Sequence, residues 1–155
     1  MGTISVKVTF CGHSKLTCTL PISNWLDSIL PPLIEGGADT FYLGGQGDFD
    51  YLAAAALRRQ KAVYPQITAI LVTAYLNRHH KDASYFDSIT YPPLEDVPPR
   101  YAIVKRNEWM VRASDIVISG VTHNWGGAAK TLDYAHRKQK IILQLPTRKS
   151  TVEAK

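Results

Sequence analysis

The sequence predicts an α/β protein, a three-layer sandwich in which a mainly parallel five-stranded sheet is covered by helices on both faces. Three observations carry that expectation. Ile67–Ala74 (ITAILVTA) and Ile116–Val121 (IVISGV) are almost continuously apolar, as strands buried on both faces must be. Segments with helical periodicity separate most of the strand-like segments, the alternation that builds parallel sheets through crossover connections. Glycine-rich stretches follow three of the strand-like segments and lead toward helices, where the ligand-facing loops of such a sheet lie.

The remaining elements follow in order. Ile4–Phe10 alternates, with Ile4, Val6, Val8 and Phe10 on one face. Thr40–Leu43 is short and β-prone, and Ile141–Leu145 closes the set of strands. Helices are expected at Ile22–Leu30, Asp48–Tyr64, Ala102–Ala113 and Ala128–Lys138, with Asp48 as an N-cap and Ser114-Asp115 as the turn into the next strand. Right-handed crossovers place the first strand centrally, giving the strand order 3-2-1-4-5. Tyr75–Arg100, rich in Pro, Tyr and charge, exceeds an ordinary connection and reads as a functional or disordered loop. One domain is expected over residues 1–146, followed by a flexible basic tail, 147–155.

Composition narrows the function. With 45% hydrophobic and 20% charged residues over 155 positions, the chain can bury a core, which argues against disorder. No apolar run approaches a membrane span, and the alternating N-terminus reads as a strand rather than a signal peptide. Cys11 and Cys18 show neither disulfide-framework nor metal-ligand spacing. The expectation is a cytoplasmic protein, bacterial or virus-encoded, with no metal or resident cofactor and no membrane partner. The net charge of +5 favours anionic partners. The excess falls largely in Arg137–Lys140 and the tail, without the interleaved aromatics of single-strand binders. Nucleic acid is therefore the second choice and a small molecule the first. Leu52, Ala53, Ala56 and Leu57 form an Ala/Leu-rich helix face that asks for cover, which predicts a homodimer or larger assembly.

Ligands of open parallel sheets bind outside the carboxyl ends of the strands where strand order reverses, here between the first and fourth predicted strands. After the first strand, Gly12 lets backbone approach a ligand, while Ser14 and Lys15 offer a hydroxyl and a point charge to phosphate. His13 in the same turn reads as a loop hydrogen-bonder or as an acid or base. After the second strand, Gly44-Gly45-Gln46-Gly47-Asp48 runs straight into a helix, whose N–H groups and dipole favour an anion. The spacing matches neither the dinucleotide fingerprint nor the P-loop. Asp48 either caps the helix or accepts a ribose hydroxyl, and Asp50 is expected to face solvent. After the fourth strand, Thr122, Asn124, Trp125, Gly126 and Gly127 lead into a second glycine-opened helix carrying Lys130 and Thr131. Trp125 stacks on a base or packs beneath the loop. Arg106 either reaches over the crevice to grip phosphate in a fork or lies on a solvated helix face, while Trp109 and Met110 read as core.

In combination, Cys11-Gly12-His13, Phe41-Tyr42-Leu43-Gly44-Gly45, Tyr91-Pro92-Pro93-Leu94-Glu95, Lys105-Arg106-Asn107 and Trp125–Thr131 resemble the SLOG superfamily. The resemblance is nearest to its YpsA-like branch and spans roughly Ile4 to Leu145. That superfamily includes the Lonely Guy phosphoribohydrolases, DNA processing protein A and sensor domains for ADP-ribose-derived signals. The resemblance implies a Rossmann-like sheet and a nucleotide-type ligand. Against the Lonely Guy motifs, Arg106 and Met110 are kept, but Asn107 stands for a Lys. Gly126-Gly127 match, Trp125 replaces a Pro, one residue is inserted before Thr131, and Asp133 with Tyr134 stands near the acidic position. The carboxylate expected to assist N-glycosidic cleavage is thus shorter and displaced, and a shift of about 1 Å costs on the order of a hundredfold in rate. The expectation is a protein that senses or sequesters a nucleotide-derived small molecule, an ADP-ribose-type signal. The alternative is a nucleoside-monophosphate N-glycosidase using Asp133 and Arg106.

Overall fold

Alternation along the first strand separates the two helical layers. In β1 (Val6–Gly12) the side chains of Val8 and Phe10 join one buried cluster and Cys11 another, because successive residues of a strand face opposite sides. The computed structural model describes residues 4–75 and 85–146. The basic tail expected at 147–155, and part of the Tyr75–Arg100 stretch, lie outside the described residues.

The described chain continues through α1 (Leu20–Glu35), β2 (Ala38–Leu43), α2 (Asp48–Val63), β3 (Thr68–Val72), β4 (Ser88–Thr90), α3 (Ala102–Ala113), β5 (Ile116–Gly120), α4 (Gly127–Arg137) and β6 (Ile141–Gln144). All pairings are parallel, in the order β4-β3-β2-β1-β5-β6. Helices α1 and α2 cover the Val8 and Phe10 face, burying Leu26, Leu30, Phe49 and Leu57 against Phe41 and Ile118. Helices α3 and α4 cover the other face, where Val111, Ala129 and Ala135 pack on Cys11 and Val117. No helix among the described residues is long and apolar enough to cross a membrane.

The five expected strands stand in their expected order, and the sheet gains a sixth. β4 arises inside the stretch read as a loop. Its Ser88-Ile89-Thr90 sequence lacks an apolar pattern because an edge strand buries little, and Ser88 and Ile89 are exposed. Asp87 sets its register: its carboxylate accepts the Ala69 N–H at 2.7 Å, and its own N–H donates to the Ala69 carbonyl at 2.8 Å.

Two further expectations change. Helix α1 does not stop at Leu30 but passes through Pro31 and Pro32 to Glu35. Each proline removes a backbone donor and crowds the preceding turn. The buried stripe Ile22, Leu26, Leu30 and Ile34 nonetheless keeps that face on the sheet, and packing wins over propensity. Ala53, Ala56 and Leu57, the residues that asked for an oligomeric partner, are buried within the chain's own core, and Leu52 packs against it.

One contact fixes the sheet's carboxyl end. Gly12 and Gly120 face each other in register across β1 and β5, and the fully buried ring of Phe49 fills the space between. A Cβ on Gly12 would lie 2.1 Å from that ring, and one on Gly120 would lie 2.3 Å away. Phe49 thereby anchors the N-terminus of α2 at the point where strand order reverses. Gly12→Ala and Gly120→Ala should each destabilise the fold by about 1–3 kcal/mol, the range for overpacking. In urea denaturation, Gly12→Ala combined with Phe49→Leu should lose less than the sum of the two single changes; strict additivity would separate the glycine from the ring.

Candidate functional site

A cleft of about 430 Å³ opens where the loops after β1 and β5 part, at the predicted reversal of strand order and within the size range of small-molecule sites. Gly12, His13, Ser14 and Lys15 line it from the first loop, and Trp125, Gly126, Gly127 and Thr131 from the other. Gln46 and Arg106 complete the predicted residues that reach it. Of the rest, Lys130 and Asp133 line a neighbouring groove between α3 and α4 that shares Gly127 and Thr131 with the cleft. Gly44, Gly45, Gly47, Asp48, Thr122 and Asn124 shape or support the loops without lining the cleft.

The two glycine-opened helices share one cap geometry. Gly47 and Gly126, the N-caps of α2 and α4, have φ of +93° and +91°, a region open mainly to glycine. Their polar groups fare differently. At α2 the Asp48 N–H donates to the Ser14 carbonyl (2.8 Å) and the Phe49 N–H to the His13 carbonyl (3.3 Å). The Gln46 N–H donates to Asp50 Oδ2 (3.1 Å). Asp48 does not cap α2; its carboxylate accepts the Leu16 N–H at 2.8 Å and ties the first loop down. The α2 terminus is therefore already occupied by the protein's own acceptors.

At α4 the reverse holds. The first intrahelical bond runs from the Lys130 N–H to the Gly126 carbonyl, so the N–H groups before it have no helical partner. No side chain among the described residues caps them, and the first turn carries no acidic residue. A Cβ added at Gly126 or Gly127 would meet nothing within 4 Å. Packing therefore leaves space beside this terminus, and it opens onto the cleft.

Arg106 is neither over the crevice nor on a solvated face. It is 3% exposed, and Nη1 donates to the carbonyls of Gly44 (3.0 Å) and Val72 (2.9 Å). Nε donates to Asn107 Oδ1 and Nη2 to Gln46 Oε1. These bonds take four of the five guanidinium hydrogens. Burial lowers its pKa, and nearby Asp50 works against that shift. Gly44 is needed for this arrangement, since a Cβ there would lie 2.9 Å from Arg106 Cζ. Arg106 thus clamps the ends of β2 and β3 under the cleft floor.

Asp50, expected to face solvent, lines the cleft half-buried. Burial pushes its carboxyl up to about 6, against the pull of the Gln46 N–H and Arg106. The sequence hid it because a carboxylate one turn into a helix ordinarily points outward. His123 was also missed. Its ring stacks between His13 (3.6 Å, 14°) and Trp125 (3.7 Å, 19°). The outer Trp125 ring is 66% exposed, so it neither packs beneath the loop nor is covered from above. His13 Nε2 accepts the Thr122 N–H at 2.9 Å, joining the two loops across the cleft and requiring a neutral ring with its proton on Nδ1. Burial, then His123, lowers the His13 pKa, in keeping with that bond. Cys11 also lines the cleft, but burial holds its thiol near pKa 12, so it stays protonated.

The solved structures agree on the architecture. No protein-family model matches the sequence, and neither does any curated protein. DNA processing protein A of Helicobacter pylori, described by its single-stranded DNA binding mode, superposes with a TM-score of 0.68 at 21% identity, over 92% of this chain and 66% of that one. DNA processing protein A of Streptococcus pneumoniae gives 0.66 at 16% identity, over 92% of this chain and 50% of that one. A molybdenum cofactor binding protein from Rippkaea orientalis gives 0.65 at 17% identity, covering 99% and 83%. This is a Rossmann-like fold. The chain spans about two thirds and half of the two DNA processing proteins, and identities this low speak for the fold alone.

Asp50 makes stability depend on pH in a defined direction. Its folded-state pKa of about 6 lies above the ordinary 3.8. Both states hold the proton well below the unfolded pKa, and the folded state loses ground as pH rises from about 4 through about 6, by on the order of 2–3 kcal/mol in all. Asp50→Asn removes this term. In urea denaturation its stability relative to wild type should improve between pH 4.5 and 7.5; an equal offset at both pH values would contradict the assignment.

Proposed function

We propose that the protein binds a nucleotide-type small molecule, with its phosphate at the N-terminus of α4 and the rest of the ligand in the cleft. One observation carries this reading: of two helix termini with the same cap geometry, that of α4 has no acceptor among the described residues while facing the cleft. Unpartnered N–H groups and the positive end of the helix dipole together favour an anion. Lys15 and Ser14 line the same cleft and add a charge and a hydroxyl. The open face of Trp125, backed by two histidine rings, offers a surface on which a base can stack.

The neighbours support a binding role in general terms, since one is described as a cofactor binding protein and another through its binding of single-stranded DNA. A small ligand is favoured because the cleft is bounded at about 430 Å³. An ADP-ribose-type signal is the form of the ligand we favour, captured for sensing or sequestration. Cleavage of an N-glycosidic bond gains no support from Asp133, which is exposed in the neighbouring groove.

Gly127→Asp tests the reading because its effects on folding and binding have opposite signs. A carboxylate in the first turn of α4 should raise stability by about 0.3–1 kcal/mol through the helix dipole. It should also occupy the anion position and repel phosphate. Calorimetry with AMP and ADP-ribose should show binding to wild type and at least a tenfold loss in the variant, whose thermal midpoint is unchanged or higher. Equal affinity in the two proteins would move the phosphate elsewhere.

A further inference from the structure

The cleft is rich in hydrogen-bond donors, as an anion site should be. Lys15, Ser14, Asn107 and the glycine-opened start of α4 all line it. A carboxylate among them is out of place if phosphate recognition is the whole task. Asp50 would repel a phosphate, and it is kept half-buried with its charge disfavoured. Holding the Gln46 N–H does not require the charge, because the neutral oxygen of an asparagine would accept that bond equally well.

The geometry leaves Asp50 with unused capacity. An ionised carboxyl has about four lone-pair sites. Backbone N–H groups of Gln46 and Gly45 draw on part of them. Among the described residues no ion pair engages Asp50, Arg106 being committed to carbonyls and amides instead. Asp50 lines the cleft, and only a donor can fill the lone pairs left over. A ligand that leaves its phosphate at α4 must therefore present uncharged donors to Asp50.

We infer that Asp50 is a specificity residue that accepts hydrogen bonds from the hydroxyls of a phosphorylated sugar, so the cleft selects ribose-bearing over deoxy ligands. This rests on the phosphate position proposed above and extends it to the sugar. A charged acceptor facing two adjacent hydroxyls gives bonds of the stronger, charge-assisted kind. Rejecting the ligand that lacks them follows from leaving a buried acceptor unmatched, the strongest route to discrimination that a polar site has.

The experiment compares AMP with 2′-deoxy, 3′-deoxy and 2′,3′-dideoxy AMP by calorimetry, on wild type, Asp50→Asn and Asp50→Glu. Wild type should prefer AMP over the dideoxy nucleotide by at least tenfold. In Asp50→Asn that preference should shrink below threefold, with the dideoxy nucleotide bound no more weakly than by wild type. Asp50→Glu, which keeps the charge but moves it, should fall between. Wild type binding ribo and dideoxy forms equally would overturn the inference and leave the phosphate site standing. So would an Asp50→Asn variant that weakens all ligands alike, as a purely structural residue would. If wild type binds none of the four, both the phosphate site and the sugar preference built on it fall. The wild-type comparison is independent of how well either variant folds.

Discussion

Two glycines paired across β1 and β5 leave a slot into which the ring of Phe49 fits, and much of the carboxyl end of the sheet is arranged around that insertion. With Phe49 seated, the first turn of α2 meets the loop after β1, and the Asp48 and Phe49 N–H groups find the carbonyls of Ser14 and His13. Asp50, one residue on, is then carried to the cleft wall rather than to solvent. Arg106 completes the platform from the opposite layer by gathering the carbonyls of Gly44 and Val72. A buried guanidinium is costly unless its donors are matched, and the ends of two parallel strands supply carbonyls that have run out of ladder partners. The fold thus uses a cation to finish its sheet and an aromatic ring to align its helix.

This construction explains why two similar glycine motifs have different fates. A helix N-terminus releases several donors, and a protein can satisfy them internally or leave them for something else. Around α2 two loop carbonyls take the Asp48 and Phe49 N–H groups, while the Asp48 and Asp50 carboxylates hold the N–H groups of the adjoining loops. Around α4 no acceptor among the described residues does the same. Such asymmetry between termini that share a cap conformation, one residue type and one edge of the sheet is hard to ascribe to folding alone, because folding would be served by capping both.

Much of the architecture was legible because it depends on periodicity. The doubly covered strands, the central place of β1 and the span of α3 follow from apolar spacing and from the handedness of crossovers. The cleft was legible in place, since predicted loop residues line it, and the conformations of its side chains less so. Arg106 stands out in the sequence, yet its burial depends on Gly44, sixty-two positions away, and no local pattern reveals that. Asp50 was misplaced for the same reason: its orientation follows from where Phe49 lodges. β4 escaped notice because an edge strand needs few apolar residues, and α1 was cut short because Pro31 and Pro32 outweigh their neighbours in local reading but not in packing. The stacked His13, His123 and Trp125 rings come from two loops that are distant in sequence.

The open space around Gly126 and Gly127 has a consequence for how such a protein can change over time. No neighbouring atom lies within reach of a side chain added there, whereas Gly12, Gly44 and Gly120 are hemmed in by Phe49 and Arg106. Gly126 still carries a backbone constraint through its φ of +91°, but on the binding reading proposed above a substitution at Gly127 meets a filter for what is bound, and substitutions at the second set meet a filter for whether the chain folds. The two constraints fall on different residues. On that reading, a lineage built on this scaffold is free to exchange one cargo for another at the head of α4 without renegotiating the sheet beneath it.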